Sequence, residues 1–170
     1  MPSYLLVIGD REALGWILSA ERMAFPTASR REVAALDVGD HLFLYTTRGA
    51  YKNPTRDRGR VIGAATVRTQ VERLAEPVRF GDREFPVGCE LSFGPLAPWG
   101  AGVELHSLVP RLESFLGVEA AWSTRLRRPL VHLPERDAEL LWKELTPHVS
   151  TSTDLDPYTR WYRARTKTTA

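Results

Sequence analysis

Cysteine is almost absent from this chain of 170 residues, which limits its redox and metal chemistry. The one cysteine is Cys89, so no disulfide can form within the chain. Its apolar neighbours Val87 and Leu91 alternate as in a strand, which predicts a buried, inert thiol. The four histidines are scattered, and none stands with cysteine at the spacing of metal ligands. We therefore expect no thiol nucleophile, no bound metal ion and no cofactor.

Long hydrophobic runs are missing as well. No apolar run approaches the roughly 18 residues that a membrane-spanning helix needs. The N-terminus has no basic region leading into a long apolar core, so we expect no signal peptide. With a single cysteine, these features favour the reducing cytoplasm and no membrane partner. The hydrophobic content of 43% is enough for the core of one domain.

The chain also lacks a strong excess of charge. Its net charge is +2, so electrostatics alone does not require nucleic acid as a partner. The basic residues are nearly all arginine, which suits bidentate phosphate contact better than lysine. Three local arginine clusters stand out: Arg56, Arg58 and Arg60; Arg125, Arg127 and Arg128; Arg160, Arg163 and Arg165. Each pattern favours a solvated surface, but Arg56, Arg58, Arg125 and Arg128 are our candidates for phosphate contacts.

Hydrophobic periodicity and turn residues predict an α+β domain. Asp10 is a candidate N-cap for a helix through Ala20, and Ser29 with Glu32 has the spacing of a capping box. Pro134 predicts the start of a late helix that Pro147 ends. The predicted strands are residues 4–8, 41–47, 61–71, 87–96 and 129–133, with a hairpin around residues 81–82. The predicted further helices are residues 30–36 and 108–115, while residues 120–128 are predicted to be extended.

Residues 1–147 are predicted to form one domain, and residues 148–170 a tail that is partly disordered or docked. No phosphate-cradling glycine loop follows a strand, and no Gly-x-Ser-x-Gly turn is visible. The sequence therefore offers no strong argument for an enzyme and leaves that question open.

Aromatic residues give a better indication of function, since the chain has five tryptophans. Trp122 is followed by Ser123, Thr124 and then arginines. A flat ring that stacks a base, hydroxyls that read its edge and arginines that hold phosphates make up a base-recognition site. The local pattern alone still favours a core position for Trp122 over binding.

A family resemblance extends over most of residues 4–147. The segments that carry it are Tyr4-Leu5-Leu6-Val7-Ile8, Phe25-Pro26, Val38-Gly39-Asp40 with the strand to Tyr45, Val61-Ile62-Gly63-Ala64-Ala65, Trp122-Ser123 through Leu130, and Leu133-Pro134-Glu135-Arg136-Asp137. In this order they resemble the EVE domain family, which belongs to the PUA-like group together with YTH and ASCH domains. The resemblance implies a PUA-like mixed curved sheet or β-barrel with surrounding helices.

The resemblance also implies a function. Such domains are similar to readers of modified bases, in which a flipped base enters a pocket between aromatic walls. Carried over by position, the ligand-binding residues are Met23, Ala24, Phe25, Tyr45, Thr46, Trp122 and Ser123. Two departures are that Leu5 and Met23 stand where the family often has tryptophan.

Three functions are compatible with these features. The first is a non-catalytic module that binds a modified nucleobase in DNA or RNA. The second is a small enzyme acting on a modified nucleoside, with Lys52, Thr46 and Glu90 as candidate groups. The third is a protein-interaction role for the basic, aromatic residues 158–165. The oligomeric state stays open.

Overall fold

A computed structural model describes residues 2–53 and 57–169, with side chains described as far as residue 164. The strands are β1 (Ser3–Ile8), β2 (Arg22–Phe25), β3 (His41–Thr46), β4 (Arg60–Val67), β5 (Glu72–Phe80), β6 (Arg83–Leu96), β7 (Val103–Glu104) and β8 (Leu130–Leu133). The α-helices are α1 (Arg11–Ala20), α2 (Arg31–Ala35), α3 (Leu105–Leu108), α4 (Glu135–Leu145) and α5 (Asp156–Thr169). Short 3-10 segments cover Val109–Arg111, Glu113–Phe115, Glu119–Arg127 and Thr146–His148.

The strands form one mixed, curved sheet in the order β2-β6-β4-β3-β1-β8. β5 pairs with β6, and β7 pairs with β4. The β1–β3 pair is parallel and the other pairs are antiparallel. The register of β3 on β4 shifts between Leu44 and Tyr45, and such irregularities bend and twist a sheet. The predicted α+β class is confirmed.

Both faces of the central strands β1, β3 and β4 are buried, because their side chains alternate between two hydrophobic clusters. On β3, Leu42 and Leu44 pack into the first cluster, with α1 and Tyr158 of α5. Phe43 and Tyr45 pack into the second, with α3, α4 and the 3-10 segments. Any site at the end of β3 therefore has a different environment on each face.

Two of the three predicted helix starts are confirmed. The Asp10 carboxylate accepts hydrogen bonds from the amides of Glu12 at 2.7 Å and Ala13 at 3.2 Å, and α4 begins directly after Pro134. The predicted capping box at Ser29 is wrong, because α2 starts at Arg31 without a side-chain cap. Ser29 instead hydrogen-bonds Thr27, and such local bonds compete with capping.

The segment before β8 differs from the sequence prediction. Residues 108–115 form short turns rather than one helix, and residues 120–128 are largely 3-10 turns rather than extended. Trp122 and Leu126, four residues apart, both pack against the second cluster, which fits helical rather than strand spacing. Buried Asp137 of α4 holds the neighbouring turn by accepting hydrogen bonds from the amides of Glu113 and Ser114, each at 2.8 Å.

Helix α5 lies against α1. A β-carbon at Gly15 of α1 would be 2.6 Å from Cβ of Tyr162, so the helices meet closely there. Tyr158 is buried, and its hydroxyl donates a 2.7 Å hydrogen bond to the carbonyl of Ala97. These contacts place α5 beside the loop that follows β6.

The environment of Cys89 is as expected. It lies in β6 opposite Met23, is buried, and burial raises its pKa from 9.0 to about 12. The thiol is therefore protonated and inert at neutral pH. None of the described helices is long and apolar enough to span a membrane.

Candidate functional site

A cavity of about 570 Å³ opens beside the end of β3, within the size range of small-molecule sites. Three parts of the chain line it: the end of β3 with the following loop, helix α3, and the 3-10 segment Glu119–Arg127. The lining residues are Tyr45, Thr47, Arg48, Gly49, Asp57, Arg58, Gly59, His106, Trp122, Ser123 and Leu126. Ligand-binding residues are commonly carried by loops on a rigid scaffold of this kind.

Tyr45 forms the rigid part of the wall. It is 2% exposed and packs in the second hydrophobic cluster, so its ring is fixed by the core. Burial raises its pKa from 10.0 to about 12, so its hydroxyl is neutral at pH 7. A β-carbon at Gly59 would lie 2.6 Å from Cζ of Tyr45, which only a glycine avoids. The loop can therefore approach the Tyr45 ring closely.

Trp122 forms a second aromatic part of the wall. It is half-buried, with its ring centroid 6.1 Å from that of Phe115 at an angle of 89°. Its centroid is 5.7 Å from that of His106, with the rings tilted by 35°. The ring thus rests on a buried phenylalanine and still reaches the cavity.

Hydrogen-bond donors and acceptors surround these two aromatic rings. Arg48, Arg58 and His106 are exposed nitrogen-bearing side chains, and Asp57 contributes a carboxylate that accepts hydrogen bonds. Thr47 and Ser123 add hydroxyls, which both donate and accept. Aromatic surface with a few convergent polar groups suits a flat heterocycle with polar edges.

The structure brings together four of the residues that the sequence singled out: Tyr45, Trp122, Ser123 and Arg58. Thr46 faces the other side of the sheet, where its hydroxyl donates to the carbonyl of Arg60 at 3.4 Å. It lines a second cavity of about 50 Å³ with Tyr51, Trp99 and Tyr158, and Asp57 and Arg58 line both cavities.

The remaining arginine candidates have different surroundings. Arg125 is exposed on the same segment as Trp122 but lies outside the cavity lining. Arg128 forms an ion pair with Glu32 at 2.9 Å, which competes with phosphate contact. Arg56 lies outside the described residues.

Three residues that the resemblance assigned to the pocket lie elsewhere. Met23, Ala24 and Phe25 lie in β2, which pairs with β6, and all three are buried. Met23 and Phe25 pack in the first hydrophobic cluster, on the opposite face from Tyr45. The cavity lining therefore does not support their assignment as ligand-binding residues.

The candidate groups for an enzyme do not converge in this cavity. Lys52 and Glu90 are exposed, in the loop after β3 and in β6, and neither lines it. Among residues 2–53 and 57–169, no group of three His, Cys, Asp or Glu side chains could hold a metal ion.

Sequence reasoning missed most of the loop residues in the lining. Thr47, Arg48 and Gly49 follow the last residue of β3, Thr46, so their position after a predicted strand was a usable signal. His106 contacts Trp122 through tertiary packing, and no local sequence pattern predicts that contact.

No protein-family model and no curated protein matches the sequence. Solved structures do match its fold. The Mmi1 YTH domain in complex with RNA matches with a TM-score of 0.58 at 11% identity, covering 86% of this chain and 78% of that one. Human THYN1 in complex with DNA containing 5-methylcytosine matches with a TM-score of 0.52 at 11% identity, covering 84% and 96%. Rpa0253 from Rhodopseudomonas palustris matches with a TM-score of 0.53 at 13% identity, covering 86% and 94%. The chain thus has the PUA-like fold that its resemblance predicts.

Proposed function

We propose that this protein is a non-catalytic nucleic-acid-binding module of the EVE type that takes a modified nucleobase into the cavity between Tyr45 and Trp122. The observation that carries the proposal is the meeting of these two aromatic residues with Arg48 and Arg58 around one cavity. Structures of the same fold in complex with RNA and with DNA containing 5-methylcytosine support the choice of ligand class.

Each wall has a separate role in this proposal. The Trp122 ring stacks on the base, an interaction that contributes roughly 1–3 kcal/mol. Tyr45 bounds the cavity and limits its shape, because the core fixes its ring. The Asp57 carboxylate accepts a hydrogen bond from an amino or ring N–H group at the edge of the base.

Arg48 and Arg58 would hold the phosphates beside the bound base. Both are exposed at the cavity, where a guanidinium can contact a phosphate through two parallel hydrogen bonds. These contacts carry little sequence information, so selectivity for the modification belongs to the cavity.

The base must leave its stack to enter. Extrusion costs a few kcal/mol in a duplex and less in single strands or weakened pairs. We therefore expect single-stranded or mismatched oligonucleotides to bind more tightly than a perfect duplex with the same base.

A fluorescence polarisation titration tests the proposal. Labelled single-stranded oligonucleotides with one modified or unmodified cytosine or adenine are titrated with protein at two salt concentrations. We expect a preference for a modified base that persists as salt rises, since stacking depends less on salt than phosphate contact does.

Trp122→Ala should remove that preference and leave a folded protein. Trp142→Ala is the matched control, because Trp142 is 37% exposed on α4 and contacts Phe43 rather than the cavity. Equal affinity for all bases, lost as salt rises, would mean that arginines bind phosphate and nothing more. Equal effects of the two variants would remove Trp122 from the site.

The protein-interaction alternative gains nothing specific from the structure. Tyr158 and Trp161, its main aromatic residues, pack within the domain. These side chains contribute to packing inside the protein.

A further inference from the structure

An aromatic cluster lies on the face of the sheet opposite the candidate cavity. Its members are Tyr51, Trp99, Tyr158 and Trp161. Tyr51 and Trp99 meet with ring centroids 4.6 Å apart, and Trp99 lies 5.1 Å from Tyr158 and 5.3 Å from Trp161. Tyr51 also lies 6.0 Å from Trp161. The cluster thereby joins the loop after β3, the loop after β6 and helix α5.

Two arginines hold Trp161 in this cluster. The guanidinium of Arg160 lies 4.1 Å from the Trp161 ring centroid, and that of Arg11, from α1, lies 4.7 Å from it. Arg160 also lies 5.3 Å from the Trp99 ring. Cation–π contacts of this geometry add to the packing, so the position of Trp161 is fixed from α1 and from its own helix.

Tyr51 belongs to the same loop that builds the cavity. Residues 47–49 and 57–59 supply six of the cavity's eleven lining residues. Beside Tyr51 the loop makes local turns. The amide of Ala50 donates a 3.1 Å hydrogen bond to the carbonyl of Thr47, and the amide of Lys52 donates a 3.0 Å hydrogen bond to the carbonyl of Gly49. The loop therefore contacts the aromatic cluster through Tyr51 and lines the cavity on both sides of that residue.

We propose that helix α5 is a positioning element of the binding site: Trp161, together with Trp99, holds Tyr51 and so fixes the preceding loop residues Thr47, Arg48 and Gly49, which line the cavity. No contact between α5 and the ligand is needed. The effect of Trp161 on the loop follows from the packing alone, whereas the effect of Trp161 on ligand affinity rests on the proposed function.

Hydrogen exchange of the ligand-free protein tests the positioning directly. Trp161→Ala should speed the exchange of the Ala50 and Lys52 amides by about fivefold to tenfold. This factor corresponds to the local stability that the loop loses with one aromatic contact. Trp161→Phe should restore most of the protection. Trp142→Ala, which removes an aromatic contact on α4, should leave these two amides unchanged.

A milder variant guards against misfolding. Arg160→Ala removes an exposed guanidinium from the Trp161 ring without opening the core, and should speed the same amides to a smaller extent. Unchanged exchange in both Trp161→Ala and Arg160→Ala would overturn the proposal. So would equal acceleration across the whole chain, because that would be a general loss of stability.

Binding completes the test. With a single-stranded oligonucleotide that carries a modified base, Trp161→Ala should raise Kd by about the same factor as it speeds loop exchange, while Trp142→Ala leaves Kd unchanged. If the loop loosens but the wild-type protein binds no oligonucleotide, the proposed function fails and the positioning stands. If the wild type binds and the loosened variant binds equally well, the loop's role in binding is overturned.

Discussion

Gly59 packs directly against the ring of Tyr45, and this contact leaves no room for a side chain. A β-carbon at position 59 would lie 2.6 Å from Cζ of Tyr45 and closer still to its hydroxyl oxygen. The Tyr45 ring cannot move away easily to make room for a side chain at position 59, because it is buried in the second hydrophobic cluster. The contact joins the start of β4 to the end of β3 at the cavity wall.

Gly59→Ala should therefore both destabilise the protein and reshape the cavity. We expect a loss of about 1–3 kcal/mol in the free energy of unfolding, the usual cost of overpacking. Urea denaturation measures the loss, and oligonucleotide titration measures weaker binding.

Gly49→Ala is the matched control in the same loop. A β-carbon at Gly49 would meet nothing within 4 Å, so the free energy of unfolding should stay close to wild type. Equal behaviour of the two variants would contradict the close packing of Gly59 on Tyr45.

Asp137 should be a major source of stability for the segment that supports Trp122. Its carboxylate accepts hydrogen bonds from the amides of Glu113 and Ser114 at 2.8 Å and from the Ser114 hydroxyl at 2.6 Å. Asp137→Asn turns one acceptor into a donor that faces another donor. We expect the free energy of unfolding to fall by about 1–3 kcal/mol, measured by urea denaturation.

The control for that variant lies in the same first turn of α4. Glu135 is exposed, so Glu135→Gln should cost less than about 1 kcal/mol, the usual range for a charge near a helix N-terminus. Comparable losses in the two variants would show that Asp137 acts only through its charge.

Alkaline pH should destabilise the protein through its buried tyrosines. Burial raises the pKa of Tyr45 from 10.0 to about 12, and that of Tyr51 to about 12 as well. Above pH 10 the unfolded chain loses these protons first, so folding stability falls as pH rises towards 12. Tyr45→Phe removes one such group, so its stability should fall less steeply over that interval by about 1.4 kcal/mol per pH unit. Denaturation of both proteins at pH 9, 10, 11 and 12 measures the difference, and parallel curves would contradict the burial of Tyr45.

The elements that local rules control were predictable from the sequence. Asp10 and Pro134 mark helix starts by their own chemistry, and the buried strand β1 follows from its apolar run. The Ser29 cap failed because Thr27 offers a competing partner, a choice that residue types alone do not decide.

The candidate site was predictable in part. Tyr45 and Trp122 lie 77 positions apart in the sequence, and only the family resemblance placed them together. The same resemblance placed Met23 at the pocket, but β2 pairs with β6 and turns this residue into the first hydrophobic cluster. Strand pairing and the Trp122–His106 contact are tertiary relationships, which local periodicity does not contain.

Photo-crosslinking tests the central claim most directly. A single-stranded oligonucleotide with one 5-iodocytosine is irradiated with the protein, and the modified peptide is identified by mass spectrometry. The proposed function predicts a crosslink at Trp122 or Tyr45 that competing 5-methylcytosine oligonucleotide suppresses and that Trp122→Ala reduces. A crosslink confined to Trp99, Trp161 or the β5–β6 hairpin, or salt-sensitive binding with no crosslink from the base, would contradict it.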